Sequence, residues 1–174
     1  MKIGEKVFNK ESDVRNIAIG DTEYELARES KFYSTMYVDS EELVGKPKCR
    51  VSYTLHDITT KEVVAWLNAS SITAGREVEL EYATDSEYRG RGIASALVDT
   101  ALHDIYERGV TDKLVQNDEY GYKPCENVFL SISQDNVPSY KVAFRTGFDI
   151  SQEATGNFVA NMSRDRFLSR NMEL

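Results

Sequence analysis

Between Glu77 and Tyr106 the hydrophobic pattern of the chain changes period once. Val78, Leu80, Tyr82 and Thr84 alternate with Glu77, Glu79, Glu81 and Ala83, and this period of two predicts a half-buried strand. From Ile93 onward the apolar positions Leu97, Val98, Ala101, Leu102, Ile105 and Tyr106 recur at steps of four, one and three, one stripe along a helix that Gly109 closes. The segment in between, Glu87-Tyr88-Arg89-Gly90-Arg91-Gly92, is a glycine-rich turn. A strand that feeds such a turn and then a helix leaves the first backbone N–H groups of the helix unpaired. Together with the positive end of the helix macrodipole, about +0.5 charge, they favour an anion such as phosphate. Gly90 and Gly92 allow the backbone to come close to it, and Arg89 and Arg91 add positive charge beside it.

The same patterns predict the neighbouring elements. Cys49 to Ile58 and Val63 to Ile72, rich in β-branched and aromatic residues, form a hairpin over the polar turn Asp57 to Glu62, and Gly75 opens the next strand. Three strands in this order make an antiparallel meander, and the helix after them needs a crossover back to the sheet, supplied by Phe129 to Ser133. Asn136 caps a further helix with Pro138 in its first turn and Gly147 at its end, and Phe148 to Ser151 and Asn157 to Met162 form a terminal strand pair. In the N-terminal segment 1–47, Val14, Ile17, Ala18 and then Tyr24, Leu26, Ala27 suggest one or two short helices, interrupted at Gly20-Asp21-Thr22. Residues 39–48 read as a linker. The 17 residues from Val110 to Glu126 exceed the connection of about 2–6 residues expected there, and read either as an insertion lining a substrate site or as a solvated excursion.

Composition narrows the class. With 174 residues, 41% of them hydrophobic, the chain suits one α/β domain over residues 1–174. It has no apolar run of membrane-spanning length, and Met1 to Glu5 lacks the apolar core of a secretory signal, so a cytoplasmic protein is expected. Cys49 and Cys125 show neither CxxC nor zinc-ligand spacing and read as buried thiols; no metal is expected. With 29 acidic against 21 basic side chains, the net charge of −8 disfavours nucleic-acid binding and permits a cationic substrate. His56 and His103 read as structural, Trp66 and Phe129 as core.

Arg89-Gly90-Arg91-Gly92-Ile93-Ala94 matches the R/Q-x-x-G-x-G/A signature of the GNAT superfamily of acyl-CoA-dependent N-acyltransferases, where this loop holds the coenzyme pyrophosphate. Glu79-Leu80-Glu81-Tyr82, followed by Asp85-Ser86-Glu87-Tyr88-Arg89, and a second block from Asn136 through Ser139 and Val142 to Gly147-Phe148 resemble the branch that contains the ribosomal-protein N-terminal acetyltransferases. The resemblance covers roughly residues 48–165. It implies an α/β (α+β) GNAT-like fold: a central mixed sheet with an antiparallel N-terminal meander and helices packed on both faces. It also implies transfer of an acetyl group from acetyl-CoA to a primary amine, whether a protein N-terminus, a polyamine or another small amine. A homodimer is among the states it allows.

By the same resemblance, Arg89, Gly90, Arg91, Gly92, Ile93, Ala94 and Ser95 bind the coenzyme phosphates, backbone groups of Tyr82, Ala83 and Thr84 meet the pantetheine arm and thioester, and Asn136 hydrogen-bonds the pantetheine as well as capping its helix. N-acylation needs a neutral amine. A lysine-like amine is neutral in about one molecule in 2,500 at pH 7, an obstacle of about 4.6 kcal/mol, against about 1–1.4 kcal/mol for an α-amino group. Glu79 and Glu81, on the polar face of the strand, are candidate bases, and the resemblance favours Glu79. Many family members carry a tyrosine seven residues after the asparagine to protonate the departing thiolate, but Ala143 stands there. Ser139, the corresponding candidate in the ribosomal branch, and the adjacent Tyr140 are the remaining acids. This departure sustains one rival, a catalytically silent acyl-CoA-binding domain. A dinucleotide-binding reading, prompted by Gly90-x-Gly92 and Asp112, is opposed by Ser95 at the third glycine position and by the lack of βαβ repeats.

Overall fold

The structure, a computed structural model, describes residues 2–71, 76–115 and 124–172. Its first two elements are strands, β1 (Ile3–Ile19) and β2 (Thr22–Tyr37), where helices were expected. Val14 and Ile17, three apart, look like one helical face, but an extended chain sends them to opposite sides, and Val14 is 64% exposed. Gly20, at φ 60°, lies between the paired residues Ile19 and Thr22 and makes a two-residue hairpin link. Glycine at the first position of such a link is the preference of a type II′ turn, whose twist suits the strands it joins. Of the segment Gly20-Asp21-Thr22 read as a helix break, Gly20 and Asp21 are therefore the hairpin turn and Thr22 opens β2.

β3 (Lys48–Asp57), β4 (Val63–Ser71) and β5 (Glu77–Thr84) follow as the expected meander. The Asp57 carboxylate accepts the Thr59 and Thr60 amides at 2.8 Å each and so fixes the β3–β4 turn. After β5 the chain forms α1 (Ile93–Tyr106) and α2 (Val110–Leu114), crosses to β6 (Asn127–Ile132), and ends with α3 (Val137–Arg145), β7 (Asp149–Gln152), β8 (Phe158–Ser163) and α4 (Arg164–Met172). The sheet order is β1-β2-β3-β4-β5-β6-β8-β7, and among the described residues only β5 and β6 pair in parallel. α4 was not foreseen because polar contacts secure it: Arg164 donates to the Tyr106 carbonyl, and Arg170 to the Thr146 carbonyl and the Asp99 carboxylate. Phe167 anchors it in the core, packed against His103 and Tyr106.

Among the described residues, α1 packs over β4 and β5 and touches α2, α3 and α4. Ile93, Leu97, Val98, Ala101, Leu102 and Ile105 of α1 share one continuous core with Val51, Tyr53 and Leu55 of β3, Ala65, Leu67 and Ala69 of β4, and Val78 and Leu80 of β5. α2 buries Val110 and Leu114 beside β2 and β3, so the segment 110–126 begins as packed core and not as a solvated excursion. The polar and aromatic stretch Asp118 to Tyr122 lies outside the described residues. Tyr140 of α3 meets Phe158 of β8 edge-on at 5.1 Å on this same side. The opposite face carries Ser52, Thr54, Asn68, Ser70, Glu79 and Glu81, the polar alternation that lets an antiparallel sheet stand with one side in water. Trp66, 38% exposed, and Phe129 belong to that open face and not to the core. Cys49 and Cys125 are buried, and burial pushes both thiols up to about 12, so they stay protonated and inert.

A buried carboxylate fastens α1 to the hairpin. Asp104, 0% exposed, accepts the Tyr53 hydroxyl at 3.0 Å and faces Arg28 at 3.3 Å and Arg108 at 3.1 Å, while Arg28 also binds Asp13 at 2.7 Å. Removing the carboxylate leaves the buried Tyr53 hydroxyl without its acceptor and Arg28 without its buried counter-charge. Asp104→Ala is expected to lower unfolding stability by about 3–5 kcal/mol. Urea titration checks this, and a loss below about 1 kcal/mol, the value of a surface pair, would show the cluster to be solvated.

Candidate active site

β5 and β6 pair only at Glu77–Asn127, Val78–Val128 and Glu79–Phe129, and then part. β5 runs on to Thr84 with its other edge on β4, and β6 to Ile132 with its other edge on β8. The facing edges of Leu80–Thr84 and Leu130–Ile132 are therefore not paired with one another, and their amides and carbonyls border a wedge that opens where the ladder ends. Peptide groups left this way need partners, and a ligand carrying amides can supply them.

At the wide end of the wedge the chain lifts off β5. Asp85 accepts the Glu87 amide at 3.0 Å and starts a single 3-10 turn, Ser86–Tyr88. Gly90 (φ 75°) and Gly92 (φ 78°) then turn the chain into α1, in a left-handed conformation that other residues adopt only at a cost. Space beside both glycines is open: a Cβ built on either meets nothing within 4 Å. Gly92 is the N-cap, no side chain caps the helix, and no acidic residue stands in its first turn. The leading amides of Ile93, Ala94 and Ser95 thus face an empty, positively polarised corner. Arg89 and Arg91 are exposed at its rim. Arg89 Nε reaches the Thr84 carbonyl at 3.4 Å, and Arg91 donates to the Glu87 carbonyl at 3.1 Å with its guanidinium 4.9 Å from the Tyr88 ring centre.

α3 closes the other side on the helix-covered face. Asn136 caps it by accepting the Ser139 amide at 3.2 Å, as its place in the sequence led one to expect. Ser139 is brought towards the wedge, whereas the ring of Tyr140 turns to Phe158. Ala143 is fully buried in the core.

The residue that sequence reasoning undervalued here is Tyr82. Strand alternation puts its side chain on the helix-covered face, and its hydroxyl is shut off from water with no hydrogen bond of normal geometry. Burial pushes the phenol pKa upward while the neighbouring Ser139 hydroxyl pulls it down. The alternation of β5 points Tyr82 inward, but nothing local in the sequence says that it will meet α3.

On the open face Glu79 sits at the apex of the wedge, the last paired position before the strands part, and accepts the Ser131 hydroxyl at 3.3 Å. Glu81, two residues on, is exposed and stands across from Asn68. The two carboxylates and the Tyr82–Ser139 pair thus approach one gap from opposite faces.

A sequence model of the acetyltransferase (GNAT) family matches residues 13–121. No curated protein sequence matches the chain. Among solved structures, the ribosomal-protein-S5-alanine acetyltransferase from Vibrio fischeri is similar, at 18% identity and a TM-score of 0.54 over 67% of this chain and 62% of that one. So is the spermidine N-acetyltransferase from Vibrio cholerae in complex with CoA and spermine, at 14% identity and a TM-score of 0.51 over 68% of each chain. A GNAT-family acetyltransferase from Bacillus anthracis shares 11% identity and a TM-score of 0.52 over 66% of each chain. At these identities the likeness is one of fold, and the chain spans less than two thirds of the length of the first of them.

Proposed function

Since the chain belongs to the GNAT acetyltransferase family, we propose that it transfers an acetyl group from acetyl-CoA to a primary amine, with the thioester held in the wedge between β5 and β6. The observation that carries this reading is the wedge itself. Its unpaired edges suit the two amides of a pantetheine arm, and its wide end opens on the uncapped start of α1 beside Gly90 and Gly92, where the space next to both glycines is open to a pyrophosphate.

The residues divide the chemistry between the two faces. The amine approaches from the open face, where Glu79 takes its proton and frees the lone pair. Amine nitrogen attacks the thioester carbonyl, whose oxygen becomes an oxyanion beside the free amides of the Tyr82 to Thr84 edge. As the C–S bond breaks, Ser139 gives its proton to the thiolate and regains one from solvent once the products leave, while the neighbouring Tyr82 hydroxyl helps to hold the Ser139 side chain in place. Asn136 fixes the start of α3 and with it the Ser139 position.

Acetyl-CoA and free CoA should each raise the melting temperature, because a ligand of the native state stabilises by mass action. Thiol release should follow when amines are added. Stabilisation by NAD and none by CoA would overturn the coenzyme assignment. CoA stabilisation with no thiol release across peptides, polyamines, amino acids and aminoglycosides would point instead to an acyl-CoA-binding domain without turnover.

A further inference from the structure

The register of the sheet lines up Lys10, Lys31, Arg50, Ser70 and Glu79 across successive strands of the open face. Lys10 and Lys31 are neutralised by Glu29 and Glu5. Arg50 is not. Its guanidinium lies 5.4 Å from the centre of the Tyr33 ring, it has no carboxylate partner among the described residues, and its Nε is cut off from water without a hydrogen bond. An unpaired, desolvated donor on a cation is a costly arrangement in the free protein, and a carboxylate that meets the guanidinium fork relieves it.

Two further observations give that carboxylate a place. A depression of about 390 Å³ on the same face, lined by Ser12, Asp13, Glu29, Ser52, Thr54 and His56 among others, reaches Ser52, two residues along β3 from Arg50. The row Glu29, Ser52, Asn68, Glu81 joins it to β5 and the apex of the wedge. Arg50 and Glu79 stand two strands apart, about 10 Å between backbones, roughly the reach of three extended residues.

We propose that Arg50 is an anion-recognising subsite for the acceptor: the amine reaches Glu79 while a carboxylate on about the third residue of an extended peptide is held by Arg50. The inference rests on the amine approaching from the open face, as set out above. A polyamine would instead bring a second positive charge against Arg50, so the subsite selects for acidic acceptors and against polycations.

Amidated tetrapeptides Ser-Gly-Xaa-Gly, with Glu, Gln or Lys at the third position, test this. For the native protein KM should rise about tenfold from Glu to Gln and again to Lys, with kcat nearly constant, as expected for a charge-assisted contact equal in ground and transition states. Arg50→Gln should flatten the series and Arg50→Glu should invert it, melting curves confirming that both variants are folded. A native KM indifferent to the third residue, or a preference for Glu that survives Arg50→Glu, would overturn the subsite. If no peptide is acetylated, the same series is titrated calorimetrically into CoA-loaded protein. Equal binding of the Glu and Lys members overturns the subsite, whereas Glu-selective binding lost in Arg50→Glu supports it and assigns the failure to the transfer reaction.

Discussion

Gly92→Glu is expected to abolish coenzyme binding in a protein that still folds. Residue 92 is the N-cap of α1 at φ 78°, and a side chain built there points into open space. The fold therefore meets only the strain of a left-handed non-glycine residue, about 1–2 kcal/mol, against a typical domain stability of about 5–15 kcal/mol. The phosphate meets much more. A carboxylate about 4 Å from a phosphate charge repels it by roughly 4 kcal/mol at an effective dielectric near 20, about a thousandfold in affinity, before the loss of space is counted. Calorimetry with CoA measures the effect. Gly92→Asn separates its causes, because asparagine tolerates the left-handed conformation and adds no charge; it should retain far more affinity than the glutamate. Near-native CoA binding by a folded Gly92→Glu protein would place the pyrophosphate elsewhere.

Glu79→Gln should lower turnover by about 10²–10⁴-fold, the usual range for a general base, and the deficit should shrink as pH rises. The sign follows from what the base does. Below the amine pKa nearly every acceptor is protonated and the carboxylate is needed; above it the free amine is supplied by solvent. For an α-amino acceptor recovery should be largely complete by about pH 8–9, and for a lysine or polyamine amine only above about pH 10, so the pH of recovery reports the acceptor class. The geometry supports Glu79 over Glu81 because Glu79 stands where β5 and β6 separate. Native turnover in Glu79→Gln from pH 6 to 9, with Glu81→Gln impaired, would move the base two residues along the strand. Full activity of both would exclude both glutamates.

The parts of this molecule legible in its sequence are those fixed by local chemistry. The passage from β5 through Gly90 and Gly92 to α1 could be read because the hydrophobic period changes across a turn that only glycine makes easily. The limits of α3 could be read because Asn136, Pro138 and Gly147 act on adjacent backbone. What escaped depends on distant partners. Val14 and Ile17 carry the spacing of a helix, and only pairing with β2 decides that they face opposite ways. A strand face bearing Ser52, Asn68 and Glu81 looks the same in sequence whether helices or water cover it. Likewise the Tyr82 hydroxyl takes its meaning from Ser139 and the Arg50 guanidinium from its lack of a carboxylate, facts of assembly with no periodic trace.

β1 is the outermost strand of the sheet, 17 residues long. Its outer row of amides and carbonyls is the kind of template on which sheets of separate molecules join and aggregate. Glu5, Lys6, Lys10, Glu11, Asp13 and Arg15 divide most of that edge into pieces too short and too charged to nucleate such growth. Between Glu5 and Arg15 the longest uncharged run is Val7-Phe8-Asn9, and the register of the β1–β2 ladder slips there. A bulge bends the strand and sharpens its twist, so an incoming strand finds no straight stretch to follow. Between these charges, the most apolar piece of the edge is thus the piece whose geometry is broken, which leaves little straight, uncharged border there for another molecule to extend.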